Sequence, residues 1–197
     1  MRDLWKPLLA IGACCFGMVG LLSGRAVEHP PGVLVAEEPL QTPSDAAAFA
    51  IGEFEATPRA NFDIAARVLS VERYKLGTDG KLSPIDFAVG WGAMSDSAVL
   101  DHFRVAQGAR FFTLYPDAQA IDLREALHGT ANMHLIPANE GIRHQLEAVR
   151  PGHVVRLQGM LVNISGPGGY TWKTSLTRDD TGAGACELFF VEAVEKR

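Results

Sequence analysis

The run from Phe62 to Tyr74 constrains this chain most: Phe62, Ile64, Ala66 and Val68 alternate with Asp63, Ala65, Arg67 and Leu69. A period of two over a stretch with β-branched residues predicts one long strand. Gly77-Thr-Asp-Gly80 supplies a turn after it, and Ile85 to Trp91 reads as a second strand with Phe87 and Val89 on one face. Glycines on both sides of Trp91 suggest a bulge or a close backbone approach there.

Ser95-Asp96-Ser97 has the composition of a helix start, with Val99, Leu100 and Phe103 as its apolar face. Ala109 to Leu114 reads as a strand stopped by Tyr115-Pro116, and Ile121 to Leu127 as a short helix ending at Gly129. Gly141 to Val149 is a clearer helix, because Ile142, Leu146 and Val149 fall at i, i+4 and i+7. The last third is β: Val154 to Val162, a turn at Gly166–Gly169, a returning strand from Tyr170 to Leu176, and Cys186 to Val194.

The fold class expected is mainly β (α+β), a small OB-like β-barrel with two or three short helices behind one N-terminal transmembrane helix. The order resembles an OB-fold over residues 60–194, with a long first strand and helical material between the third and fourth strands. The fourth strand would be Gly152-His-Val-Val-Arg-Leu-Gln-Gly159. An open α+β sheet with helices on one face is the alternative, and neither names a ligand.

Pro7 to Ser23 carries no charge and lies between Lys6 and Arg25, so it reads as a short membrane anchor at the lower end of spanning length. Arg2, Lys6 and the α-amine precede it, which favours a cytoplasmic N-terminus and a periplasmic C-terminal domain. A cleaved signal with Gly24 and Ala26 at its cleavage site and a lipoprotein processed at Ile11-Gly12-Ala13-Cys14 are the rivals; the apolar run continues past Cys14. The expected organisation is therefore an anchor over 1–25, a proline-rich linker over 26–60 and a globular domain over 61–197. Within the linker, Asp45 to Ile51 is expected either as a short helix capped by Ser44 or as a segment packed on the domain.

A formal charge of −5 gives no electrostatic footprint for nucleic acid, so none is expected as a partner. Of three cysteines, Cys14 and Cys15 lie in the anchor, which leaves Cys186 alone in the domain and excludes a disulfide framework there. Neither CxxC nor HExxH occurs, so no metal site is expected. No P-loop, Gly-x-Ser-x-Gly elbow or dinucleotide fingerprint occurs either, so no cofactor is expected.

Chemistry has few places to reside. His134, with Asn132, enters an apolar run and could serve as a base; Cys186 could be a nucleophile if a base stood beside it. Arg178 and Asp180, in a glycine-bearing loop, could bind an anion or a hard cation, and Trp91, Trp172, Tyr170 and Tyr74 could form a stacking surface, Trp172 and Tyr170 sharing a strand face. Each has a structural counter-reading: backbone satisfaction for Asn132 and His134, a capped turn for the loop, and packing for Cys186 and the aromatics.

In Gly90-Trp91-Gly92-Ala-Met94-Ser95-Asp96, in Asn132 to Ala138 and in Ser175 to Glu187 the chain resembles uncharacterised bacterial membrane-anchored proteins. The resemblance implies an inner-membrane setting and no activity. The function expected is a membrane-tethered extracytoplasmic binding or assembly domain whose partner is an envelope protein or integral membrane complex. The rival is a hydrolase or transferase using His134 with Cys186 or Asp180.

Overall fold

A computed structural model of the protein describes residues 25–177 and 186–197. The expected anchor at 7–23 and the candidates Arg178 and Asp180 lie outside the described residues, among which no helix is long and apolar enough to cross a membrane. In chain order the strands are β1 (Leu40–Pro43), β2 (Phe49–Ile51), β3 (Phe54–Arg73), β4 (Ile85–Gly90), β5 (Phe103–Gly108), β6 (Phe111–Pro116), β7 (Thr130–Pro137), β8 (Val154–Gly166), β9 (Tyr170–Trp172) and β10 (Glu187–Lys196). The helices are α1 (Gly77–Leu82), α2 (Ser97–Leu100), α3 (Leu123–His128) and α4 (Glu140–Glu147).

The long alternating strand organises the molecule. Within β3, Arg67 faces Val154 of β8 across one edge and Gly90 of β4 across the other. From there β4 pairs with β7, β7 runs parallel to β10, and β10 pairs antiparallel with β8, so the pairing closes into a ring. β3 starts at Phe54, ahead of the expected Phe62. Pro58 is tolerated because the register against β8 shifts between Pro58 and Ala60, where the ladder does not need its missing N–H.

The inward face of the ring is apolar: Phe62, Ile64, Val68, Phe87, Met133, Leu135, Leu157, Leu161 and Phe189 are all buried. Each large side chain of this kind contributes about 1.5–3 kcal/mol on burial. The Phe62 and Phe189 rings meet edge to face at 5.2 Å. α4 closes over this core with Ile142 and Leu146, as its i, i+4 spacing predicts, and Asn139 caps it by accepting from the Ile142 N–H.

Several expectations change. Thr130–Pro137, read from sequence only as a place where Asn132 and His134 enter an apolar run, is a fully paired strand of the ring. Ala109 and Arg110 instead form the left-handed tip of a β5–β6 hairpin, at φ 50° and 70°, and that hairpin lies off the ring. Phe103 belongs to β5 rather than to the helix started by Asp96, which ends at Leu100.

Asp45 to Ile51 is not helical: Phe49–Ile51 pairs with β3 around Gly52, and the Phe49 ring packs on Phe190 at 4.8 Å. The prolines keep residues 26–43 out of helix, and this segment lies against the ring. The Val27 N–H donates to the Pro151 carbonyl at 2.8 Å, Val35 is buried, and β1 pairs with β3.

On the outer face of the ring Asp63 receives Arg156 Nε at 2.9 Å, Arg156 Nη2 at 2.7 Å and Gln158 Nε2 at 2.8 Å. The hydrogen bonds from Arg156, with that from Gln158, hold the Asp63 carboxyl below its ordinary value against the opposing effect of burial. A lowered folded pKa stabilises the fold above the unfolded value, about 3.9, and that contribution is lost as pH falls through the folded pKa. Asp63→Asn is therefore expected to lower the urea midpoint at pH 7 and to flatten its decline below pH 4. A variant whose midpoint declines with acid as steeply as the parent's would refute this assignment.

Candidate functional site

Four of the residues singled out by type come together on the outer face of β4, β7 and β10. Asp86 and His134 are register partners on β4 and β7, so their side chains project to the same side. His134 Nδ1 lies 3.0 Å from Asp86 Oδ2, with both side chains almost wholly buried; the atoms are close without being aligned as a hydrogen bond. Two residues back on the same face, Asn132 donates from Nδ2 to the Cys186 Sγ at 3.4 Å. The Trp172 ring sits 4.9 Å from that of His134.

The hairpin tip covers this face. Arg110 Nη1 meets Asp86 Oδ1 at 2.6 Å, and its Nη2 donates to the Ser83 carbonyl at 2.9 Å. The guanidinium lies 3.6 Å from the centre of the Tyr74 ring and 5.3 Å from that of Trp172, which places a delocalised cation against two aromatic faces. The Arg110 N–H donates to the Tyr74 hydroxyl at 2.9 Å, and the Arg110 carbonyl accepts from Asn132 Nδ2 at 3.0 Å and from Cys186 Sγ at 3.7 Å. Gln107 completes the arrangement by donating to Asn132 Oδ1 at 2.8 Å. Burial pushes the Tyr74 phenol up, opposed by the backbone N–H it accepts.

Asn132, His134, Cys186 and Trp172 thus meet in one buried network, while Arg178 and Asp180 lie outside the described residues. The network also contains Tyr74, an aromatic of the expected stacking surface, and Asp86, Arg110 and Gln107, which were not chosen as site candidates from sequence. Asp86 had a legible signal: it is a lone carboxylate within an apolar strand, and a buried charge requires a partner. Arg110 had none, since its role depends on the hairpin folding back onto β4 and β7.

Chemically this is a neutralised carboxylate clamped by a guanidinium, with an imidazole beside it and a thiol engaged through Asn132 and the Arg110 carbonyl. Among the described residues no group of three or more His, Cys, Asp or Glu is placed to hold a metal ion. Beside the network, Tyr74 also lines an open cleft of about 400 Å³ between the β3–β4 connection and α4.

No known protein family, curated protein or solved structure matches this chain.

Proposed function

We propose that the protein is a membrane-tethered binding or assembly module. In this reading residues 7–23 anchor it in a bacterial inner membrane, and an OB-like β-barrel on the periplasmic side engages an envelope protein or integral membrane complex. The OB-like reading is supported by the ring order β3-β4-β7-β10-β8, by the parallel β7–β10 pair and by α4 between β7 and β8. What supports binding over catalysis is that Asn132 and Cys186 direct their polar atoms at partners within the chain, and that the His134 side chain is only 5% exposed. Arg110 covers the face that a substrate would need to reach.

One observation favours the rival hydrolase or transferase: a carboxylate beside Nδ1 is how a general-base histidine is oriented. Alkylation of Cys186 in the full chain, followed by peptide mapping, separates the two readings. The binding module is expected to label more slowly folded than in urea, and at the same rate with His134→Ala. Faster labelling in the folded chain, abolished by His134→Ala, would replace binding with catalysis. Location has its own check: a reporter fused after Arg197 that is active only in the cytoplasm should be silent, and its activity would overturn the topology.

A further inference from the structure

We propose that the cleft between the β3–β4 connection and α4 is a binding site for a phosphate group. Arg73 at the end of β3, Lys75 in the connection, Lys81 on α1 and Arg143 on α4 line it, against one carboxylate, Glu147. These four cations converge in a chain whose net charge is −5, so the cleft opposes the field of the molecule around it. Arg143 pairs with Glu140 at 3.2 Å, whereas Arg73, Lys75 and Lys81 make no ion pair among the described residues. Four cations against so few carboxylates repel one another, and a bound anion lowers that cost.

The Arg73 guanidinium and the backbone that carries Lys75 and Lys81 are also held in place. Arg73 Nη2 donates to the carbonyls of Glu147 at 3.0 Å and Val149 at 3.5 Å, which fixes the guanidinium and leaves its Nε and Nη1 for a ligand. The connection bearing Lys75 and Lys81 is closed at its base by the Tyr74 N–H donating to the Pro84 carbonyl at 2.8 Å. It is tied again by the Tyr170 hydroxyl donating to Asp79 Oδ1 at 2.7 Å. Gly80 sits so near Tyr74 that a Cβ there would lie 3.3 Å from the Tyr74 carbonyl carbon, so the connection is tightly folded. A fixed Arg73 guanidinium and a fixed backbone lower the ordering cost of binding.

The charge and geometry select the class of anion. A single carboxylate would leave most of the positive charge unmet, whereas a phosphate offers three acceptor oxygens to a guanidinium fork and two ammonium point charges. A volume of about 400 Å³ exceeds a bare phosphate and suits a phosphate ester, whose organic part would rest on Tyr74 and Pro84. The ester could be soluble or the headgroup of a lipid. The inference is independent of the tether, and the cleft shares only Tyr74 with the network under Arg110.

The test is calorimetric titration of the full chain in non-ionic detergent micelles. One arm uses inorganic phosphate and glycerol phosphate, and the other uses micelles doped with phosphatidic acid against phosphatidylcholine. Saturable binding is expected, weakened at least about tenfold by the double variant Lys75→Glu/Lys81→Glu. Arg59→Glu/Arg124→Glu, on exposed positions away from the cleft, applies the same change of charge and should leave binding intact. Saturation by the soluble compounds assigns a soluble ester, and saturation by phosphatidic acid alone assigns a headgroup; both uphold the site. No saturable binding in either arm, equal loss in the control variant, or acetate competing as well as phosphate would each overturn it.

Discussion

Replacing Asp86 by alanine should cost about 3–5 kcal/mol of folding stability, because it strands the Arg110 guanidinium in a largely buried position without its counter-charge. Asp86 is completely buried and the Arg110 side chain is 16% exposed, and a cation largely removed from water retains its desolvation penalty when the anion that offset it is removed. Arg110→Ala is expected to be comparably damaging, since it leaves the carboxylate with only His134 at 3.0 Å. The double variant Asp86→Leu/Arg110→Met should recover most of the loss, because apolar groups of similar volume need no partners. Urea denaturation of the four proteins compares these losses with the recovery. A single-variant loss below about 1 kcal/mol would mean that water reaches the pair and that it behaves as a surface ion pair. The hairpin tip would also report: with Arg110 unclamped, amide exchange in Phe103–Pro116 should accelerate, as its guanidinium and backbone groups tie the tip to β4 and β7.

Gly159→Ala should destabilise by roughly 2–4 kcal/mol, through strain and a backbone clash. Gly159 holds φ at +156°, and a Cβ at that position would run into the Phe190 carbonyl oxygen. It lies opposite Val191 where the β8–β10 register shifts between Val191 and Ala193, and on its other side it pairs with Phe62. The bulge bends β10 around the ring, and the strand opposite it must come close to permit that bend. Because the contact is with backbone, neighbouring side chains cannot relax to relieve it. Hydrogen exchange should localise the loss to β8 and β10, and a variant with the parent's urea midpoint and exchange pattern would show that the seam has slack.

The sequence identified the elements that carry a one-sided apolar pattern. β3 and β8 were legible because one face is buried and the other is polar, so alternation reports the strand directly. α4 was legible from Ile142, Leu146 and Val149 for the same reason at helical spacing. β7 was not, because both of its faces are covered: Ala131, Met133 and Leu135 face the core, and Asn132 and His134 face the Arg110 network. Polar residues on a buried face look like a loop when read locally. The short segments also escaped, since the β5–β6 tip depends on two non-glycine residues at positive φ, which residue type does not predict.

The site divides in the same way. Residue chemistry alone selected Asn132, His134, Cys186 and Trp172 as the unusual side chains. Their meeting depends on β10 lying parallel to β7 with Glu187 beside Met133, a pairing between segments far apart in the chain. The pairing of Asp86 with His134 across β4 and β7, and the descent of Arg110 onto them, are likewise set by non-local register. The cationic cleft is wholly tertiary, since Arg143 reaches Arg73, Lys75 and Lys81 only because α4 packs beside the β3–β4 connection. What the sequence by itself determined is the β character organised by the Phe62–Tyr74 alternation, because periodicity is a local property. Ring closure, the buried ion pair and the cleft were decided by the tertiary structure, because strand order and the meeting of opposite charges are properties of distance in space.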